Sequence, residues 1–260
     1  MPHKWFMFVT MPALAGTVTS AALAAGDPVK GKAFNPFIGA GGWGTSIDDF
    51  HTNWDFDRGK HGYIGGSYIA VGGSHGRPIT YRPVPPGTPQ WGSAWKRAVA
   101  KWYQSATTIA ASGAVMPNRY NYLDLDPTYR NRFGQPLMRM TFDFKENEQK
   151  MNRHSATVIG EIGRAMNPTV MVNPTPRLTW NVVPYQSTHN TGGAVMGADP
   201  GTSALNKYLQ SWEVPNLFVM GASAFPHNSG YNPTGPVGAL AYWAADAIRE
   251  RYLKHPGPLV

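Results

Sequence analysis

Glycine and proline do most to limit what this chain can become: 29 Gly and 23 Pro fall in 260 residues. Glycine supplies turns with positive φ, and proline removes a backbone donor and breaks helices and ladders. Long helices are therefore confined to a few windows, and most of the chain reads as loop, turn and short strand. Hydrophobic residues make up 42%, enough to bury a core rather than stay disordered. Residues 27–92 hold loops and short alternating pieces such as Tyr63-Ile64-Gly65-Gly66-Ser67-Tyr68-Ile69. Residues 93–112 predict a helix capped by Ser93, with Trp95, Val99, Trp102 and Tyr103 on one face. Residues 119–144 predict strands, turning at Asp126-Pro127 and again at Gly134-Gln135-Pro136. Residues 145–166 predict a second helix with Met151, Ser155 or Ala156, Ile159 and Ile162 inward, ended by Asn167-Pro168. Residues 169–186 return to strand and turn. Asn216-Leu217-Phe218-Val219-Met220 predicts a short apolar strand leading into Gly221-Ala222-Ser223. A third helix follows over 237–253.

Charge and cysteine usage exclude several classes. The formal net charge is +8, but Arg130, Arg132, Arg139, Lys145 and Lys150 are scattered among acids. No basic run interleaves with aromatics, so the pattern is not that of a nucleic-acid binder. With no cysteine there are no disulfides, thiolate metal sites or Cys nucleophiles, and no metal site is expected. No uninterrupted apolar run is long enough for a transmembrane helix. Two readings of the N-terminus stand. Lys4, a mostly apolar stretch over 5–25 and Ala22-Leu23-Ala24 outline a secretory signal. Pro12 and several Thr, Ser and Gly residues weaken that outline and favour a β-segment of the fold.

Three motifs carry the chemistry. Gly39-Ala40-Gly41-Gly42-Trp43-Gly44 matches G-x-G-x-x-G, but a dinucleotide site needs a strand before it and a helix after it. Asn35-Pro36 interrupts the strand and Trp43 would crowd a phosphate. The second motif is Ser187-Thr188-His189-Asn190-Thr191-Gly192-Gly193-Ala194-Val195-Met196-Gly197, where small residues let a ligand approach an imidazole. The third is Gly230-Tyr231-Asn232-Pro233-Thr234-Gly235-Pro236, where prolines fix the backbone around one carboxamide. Singly, the second and third read as a structural His in a Gly-rich turn and an Asn-Pro helix opening.

Their order and spacing, His-x-x-Gly-Gly-x-x-Met-Gly, then Gly-Ala-Ser-x-x-Pro, then Asn-Pro-Thr before an Ala-rich helix, resemble the C-terminal signature of the glucose-methanol-choline (GMC) oxidoreductases. The stretches FNPFIGAGGWGTSIDDF, YNYLDLDPTYRNRFGQPLMRMTFDF and STHNTGGAVMG resemble the gluconate and sugar dehydrogenase branch. The resemblance covers about residues 30–255. It implies an α+β fold: a mostly antiparallel sheet with helices on one face, and a C-terminal strand and helix returning to an FAD-binding domain that is largely missing. It divides the chain into a signal-like or truncated segment (1–26), a substrate-binding domain (27–205) and an FAD-domain return (206–260). It places catalysis on His189 and Asn232, and FAD contacts on Gly221, Ala222, Ser223, Pro233 and Thr234. Many members carry Asp where this chain has Gly221. The implied partners are a sugar, polyol or sugar-acid substrate, the missing N-terminal half, and a cytochrome c or small subunit. The branch implies a periplasmic or membrane-associated protein, and a cytoplasmic one if the N-terminus is a truncation. A non-catalytic sugar-binding or interaction module is the alternative.

Overall fold

The computed structural model describes residues 5–9, 11–19, 43–47, 61–72, 84–102, 106–168, 170–181 and 189–259. Expectations at 22–24, 39–42 and 187–188 lie outside the described residues. The architecture is α+β, with small antiparallel sheets and few helices.

The larger sheet has five strands in the order β3 (Trp43–Ile47), β4 (Ser67–Gly72), β5 (Ala106–Gly113), β2 (Met11–Thr19), β8 (Val170–Val172), all antiparallel. Helix α1 (Gly92–Trp102) ends before β5 begins. This corrects the helix expected over 93–112. Thr107, Thr108 and Ile109 are β-branched, which disfavours continuation of the helix, and β5 gains a neighbour on both edges, β2 and β4. Pairing outside the window thus overrode local periodicity. Ser93 lies inside the first turn of α1 rather than capping it.

Helix α2 (Glu146–Ala165) matches the expected second helix. Glu148 reaches back to the Lys145 N–H at 3.1 Å and also accepts the Met116 N–H at 3.1 Å, so one buried carboxylate starts the helix and ties it to the chain leaving β5. The helix lies across β2, β4 and β5. Alternation along the strands decides which side it covers. Ile69, Ile109 and Ala111 pack on Ala156 and Ile159, and Ser67 Oγ meets Ser155 Oγ at 2.9 Å. Tyr68 therefore points to the opposite face of the sheet.

A second sheet runs β7 (Pro136–Thr141), β6 (Tyr122–Arg130), β1 (Trp5–Val9), β9 (Asn190–Gly192). β1 and β2 are thus strands of the two sheets. The turn expected at Asp126-Pro127 is instead an irregularity inside β6. Asp126 Oδ1 accepts the Thr128 and Tyr129 N–H groups at 2.8 Å each, and the register shifts between Leu125 and Arg130. The turn proper is at Gly134 (φ 78), whose N–H donates to Asn131 at 3.0 Å. Leu125 faces Met138 across the hairpin and both are exposed.

The strand expected at 216–220 is not formed. That segment leaves a turn at 215–216 and makes only the single Gln210–Phe218 bridge, with the Val219 N–H donating to Leu209 at 2.9 Å. Its ladder is replaced by buried amides. Gln210 Nε2 donates to the Pro215 carbonyl at 2.6 Å and the Gly257 carbonyl at 2.9 Å, and Asn206 Nδ2 donates to the Leu259 carbonyl at 2.6 Å. These bonds hold the C-terminal tail against the 205–219 loop. Helix α3 (Thr234–Ala247) continues through a π-turn, Ile248–Tyr252. Its sequence, TGPVGALAYWAADA, is apolar on nearly every side, yet only Ala244 and Ala247 are buried. Tyr242 is 80% exposed. A helix apolar all round is normally enclosed.

Candidate functional site

The segments carrying His189, Gly221–Ser223 and Asn232 converge. β9 follows directly on His189 and pairs with β1 (Val9 with Asn190, Phe8 with Thr191, Met7 with Gly192). Gly192 and Gly193 then take φ of 83 and 106, values that favour glycine, and turn the chain toward the 222–224 segment. There the Ala194 N–H donates to the Ser223 carbonyl at 3.0 Å and the Met196 N–H to the Ala224 carbonyl at 2.9 Å. Gly221, at φ 116, opens the short 3-10 turn Ala222–Ala224. The His-containing and Gly-Ala-Ser segments are thus laid side by side by backbone bonds.

The third segment reaches the same place by another route. Asn228 Nδ2 donates to the His189 carbonyl at 2.8 Å. Two residues on, Gly230 (φ 86) packs flat against the end of β5, and Tyr231 stacks on Tyr68 with ring centroids 4.9 Å apart and planes 20° from parallel. Asn232 follows, exposed, and Pro233 leads into α3 at Thr234. Sequence reasoning missed Asn228, and quoted Gly230 and Tyr68 without giving either a part in the site. The signal for Asn228 was slight, an Asn two residues before a Gly, because its partner is 39 residues away in the chain.

His189 is half-buried, and burial pushes its imidazole below the ordinary value of 6.5. The ring is therefore neutral at neutral pH, able to take a proton. Above pH 6.5 both folded and unfolded chains hold it neutral and it adds no pH dependence. As pH falls, the unfolded chain takes up the proton first, so stability declines from about 6.5 down to the folded-state value. NMR titration of the His189 ring proton should show a midpoint below that of a histidine in a denatured chain. A midpoint at or above it would contradict the desolvated placement. Burial also raises the Tyr68 phenol, which stays neutral.

The turn at 221–223 and the start of α3 suit the ring end of a flavin. A Cβ added at Gly221, Gly235 or Gly238 meets nothing within 4 Å, so backbone lies open on this side. The first N–H groups of a 14-residue helix are oriented donors for carbonyl or anionic oxygens. Of the Gly39–Gly44 motif, only Trp43 and Gly44 lie among the described residues. Trp43 and Gly44 begin β3, paired with β4 (Trp43 with Gly72), where a dinucleotide fingerprint would open a helix. Among the described residues no cluster of three or more His, Asp or Glu side chains could hold a metal ion, and no helix is long and apolar enough to cross a membrane.

Residues 117–241 match the family model described as GMC oxidoreductase, and the chain carries the C-terminal domain of that family. It is 52% identical over 233 residues to the gluconate 2-dehydrogenase flavoprotein of Pantoea cypripedii, covering 89% of this chain and 38% of that protein. It is 30% identical over 213 residues to the 2-methyl-1,2-propanediol dehydrogenase of Mycolicibacterium austroafricanum, covering 80% of this chain and 36% of that protein. The crystal structure of pyridoxine 4-oxidase from Mesorbium loti superposes with a TM-score of 0.52 at 12% identity, over 95% of this chain and 44% of that one, a likeness of fold alone. The chain spans less than half the length of each of these proteins.

Proposed function

We propose that this chain is the substrate-side half of an FAD-dependent dehydrogenase acting on CH–OH groups of a sugar, polyol or sugar acid. The observation that carries the reading is the convergence of the His189, Gly221–Ser223 and Asn228–Thr234 segments through backbone and Asn228 bonds. The bound flavin would supply the hydride acceptor. His189, neutral and half-buried, takes the hydroxyl proton as base or holds the oxygen by a hydrogen bond. Asn232 cannot take a proton at this pH. Its amide donates to the oxygen as negative charge grows there, a contribution of a few kcal/mol, about 10²-fold or more in rate. Gly221, Ala222, Ser223, Pro233 and Thr234 border the ring. The exposed apolar side of α3, with Tyr242, packs against the FAD-binding half.

In this reading residues 27–205 form the substrate-binding domain and 206–260 return to the FAD domain. The similarity to a gluconate dehydrogenase flavoprotein and, at 33% identity over 140 residues, to a fructose dehydrogenase large subunit supports a sugar or sugar-acid substrate. That relative is one subunit of a larger dehydrogenase, which supports electron transfer to a cytochrome or small subunit, and the same branch supports a periplasmic or membrane-associated setting. Co-expression with an FAD-binding N-terminal half from the gluconate dehydrogenase relative is the test. The expected product is a yellow complex with flavin absorbance that is bleached by the substrate. A colourless chain that still binds the sugar would replace this reading with that of a binding module.

A further inference from the structure

We infer that Asn228 is a positioning residue that fixes the backbone carrying His189 against the loop carrying Asn232. The inference rests on the function proposed above. Asn228 is 1% exposed and bonded at four atoms. Its N–H donates to the Val115 carbonyl at 3.1 Å, and its carbonyl accepts the Val115 N–H at 2.8 Å, so its backbone is locked to the chain just past β5. Its side chain works in two directions. Nδ2 donates to the His189 carbonyl at 2.8 Å, and Oδ1 accepts the Gly230 N–H at 3.3 Å. The second bond curls the loop so that Gly230 lies flat on β5, where the backbone atoms of Ser112, Gly113 and Ala114 leave no room for a Cβ. One residue therefore links the chain just past β5 through its backbone, and the residue that carries the imidazole and the loop that delivers Asn232 through its carboxamide.

The residue type follows from these roles. Aspartate has the same shape and keeps an acceptor for Gly230, but as a carboxylate it offers no donor to His189. Glutamine is one methylene too long for a fully packed position. Serine is too short to span to the carbonyl. Without the donor, the His189 carbonyl loses this partner and its segment is free to shift. A displacement of about 1 Å at a reacting group lowers rate about 100-fold.

The experiment uses the chain assembled with its FAD-binding half, in wild-type form and with Asn228→Asp, His189→Ala and Asn232→Ala. Asn228→Asp is expected to lower kcat about 30- to 100-fold and leave KM within about threefold, because it moves catalytic groups rather than substrate contacts. Amide hydrogens at 190–192 should exchange at least about tenfold faster in the same variant, with β6 and β7 unchanged, since opening there is local. If the buried carboxylate unfolds the chain, Asn228→Ser carries the test with the same expectations. Wild-type kcat and wild-type exchange in the Asn228 variant, beside impaired His189→Ala and Asn232→Ala, overturn the positioning role alone. Unimpaired turnover in His189→Ala and Asn232→Ala overturns the proposed function itself.

Discussion

His189→Ala, in the flavin-loaded assembly, should lower turnover by about 10²- to 10⁴-fold, the usual contribution of a positioned acid–base group. The argument rests on position and protonation together. The imidazole is half-buried, neutral at neutral pH, and set on a backbone held by β1 on one side and by Asn228 on the other. In the proposed mechanism, removing it leaves the oxygen of the alcohol without a proton acceptor, while Asn232 still donates to it. The loss should therefore appear in kcat and in kcat/KM alike, since it removes an interaction made in the transition state. Steady-state kinetics with a saturating artificial electron acceptor measures this. Turnover within threefold of wild type would remove His189 from the mechanism.

Gly230→Ala is the largest expected stability effect. The position combines a left-handed φ of 86 with a wall of backbone: a Cβ would sit 2.8 Å from the Gly113 carbonyl carbon, 2.9 Å from the Ala114 nitrogen and 3.0 Å from the Ser112 oxygen. A non-glycine residue in that conformation costs about 1–2 kcal/mol. Overpacking against groups that cannot swing away adds about 1–3 kcal/mol. The sum, about 2–5 kcal/mol, corresponds to a fall in Tm of roughly 5–15 °C for a domain of this size. Gly134→Ala is the internal control. Its φ of 78 is similar but nothing lies within 4 Å, so only the conformational cost of about 1–2 kcal/mol remains. Differential scanning calorimetry of the two variants separates the terms. Equal shifts would mean that the packing of Gly230 on β5 contributes nothing.

Local chemistry made α2 legible. Its apolar residues recur at helical spacing, Glu148 stands three residues after Lys145, and Asn167-Pro168 ends it, so propensity, capping and core agree. The window that runs into β5 failed for the opposite reason. Its first half is a helix, and its second half, rich in Ala and Thr, suits either state until β2 and β4 supply ladders on both edges. The 216–220 segment failed because Asn206 and Gln210 satisfy the local backbone and the tail at 257–259, leaving no ladder for a strand to join. Side-chain amides with partners about 50 residues away leave no periodic trace.

What the amino-acid order carried unaided was the family: an imidazole, a small-residue turn and a carboxamide in fixed succession, with glycines and prolines limiting helices to three windows. What only the tertiary structure decided was how those pieces meet. His189 and the Asn232 loop are joined by Asn228, and the loop is seated on β5 by a glycine that has no room for a side chain. The physical reason is distance along the chain. Local conformation depends on neighbours within a turn or two, whereas a buried carbonyl must find a donor wherever the fold brings one.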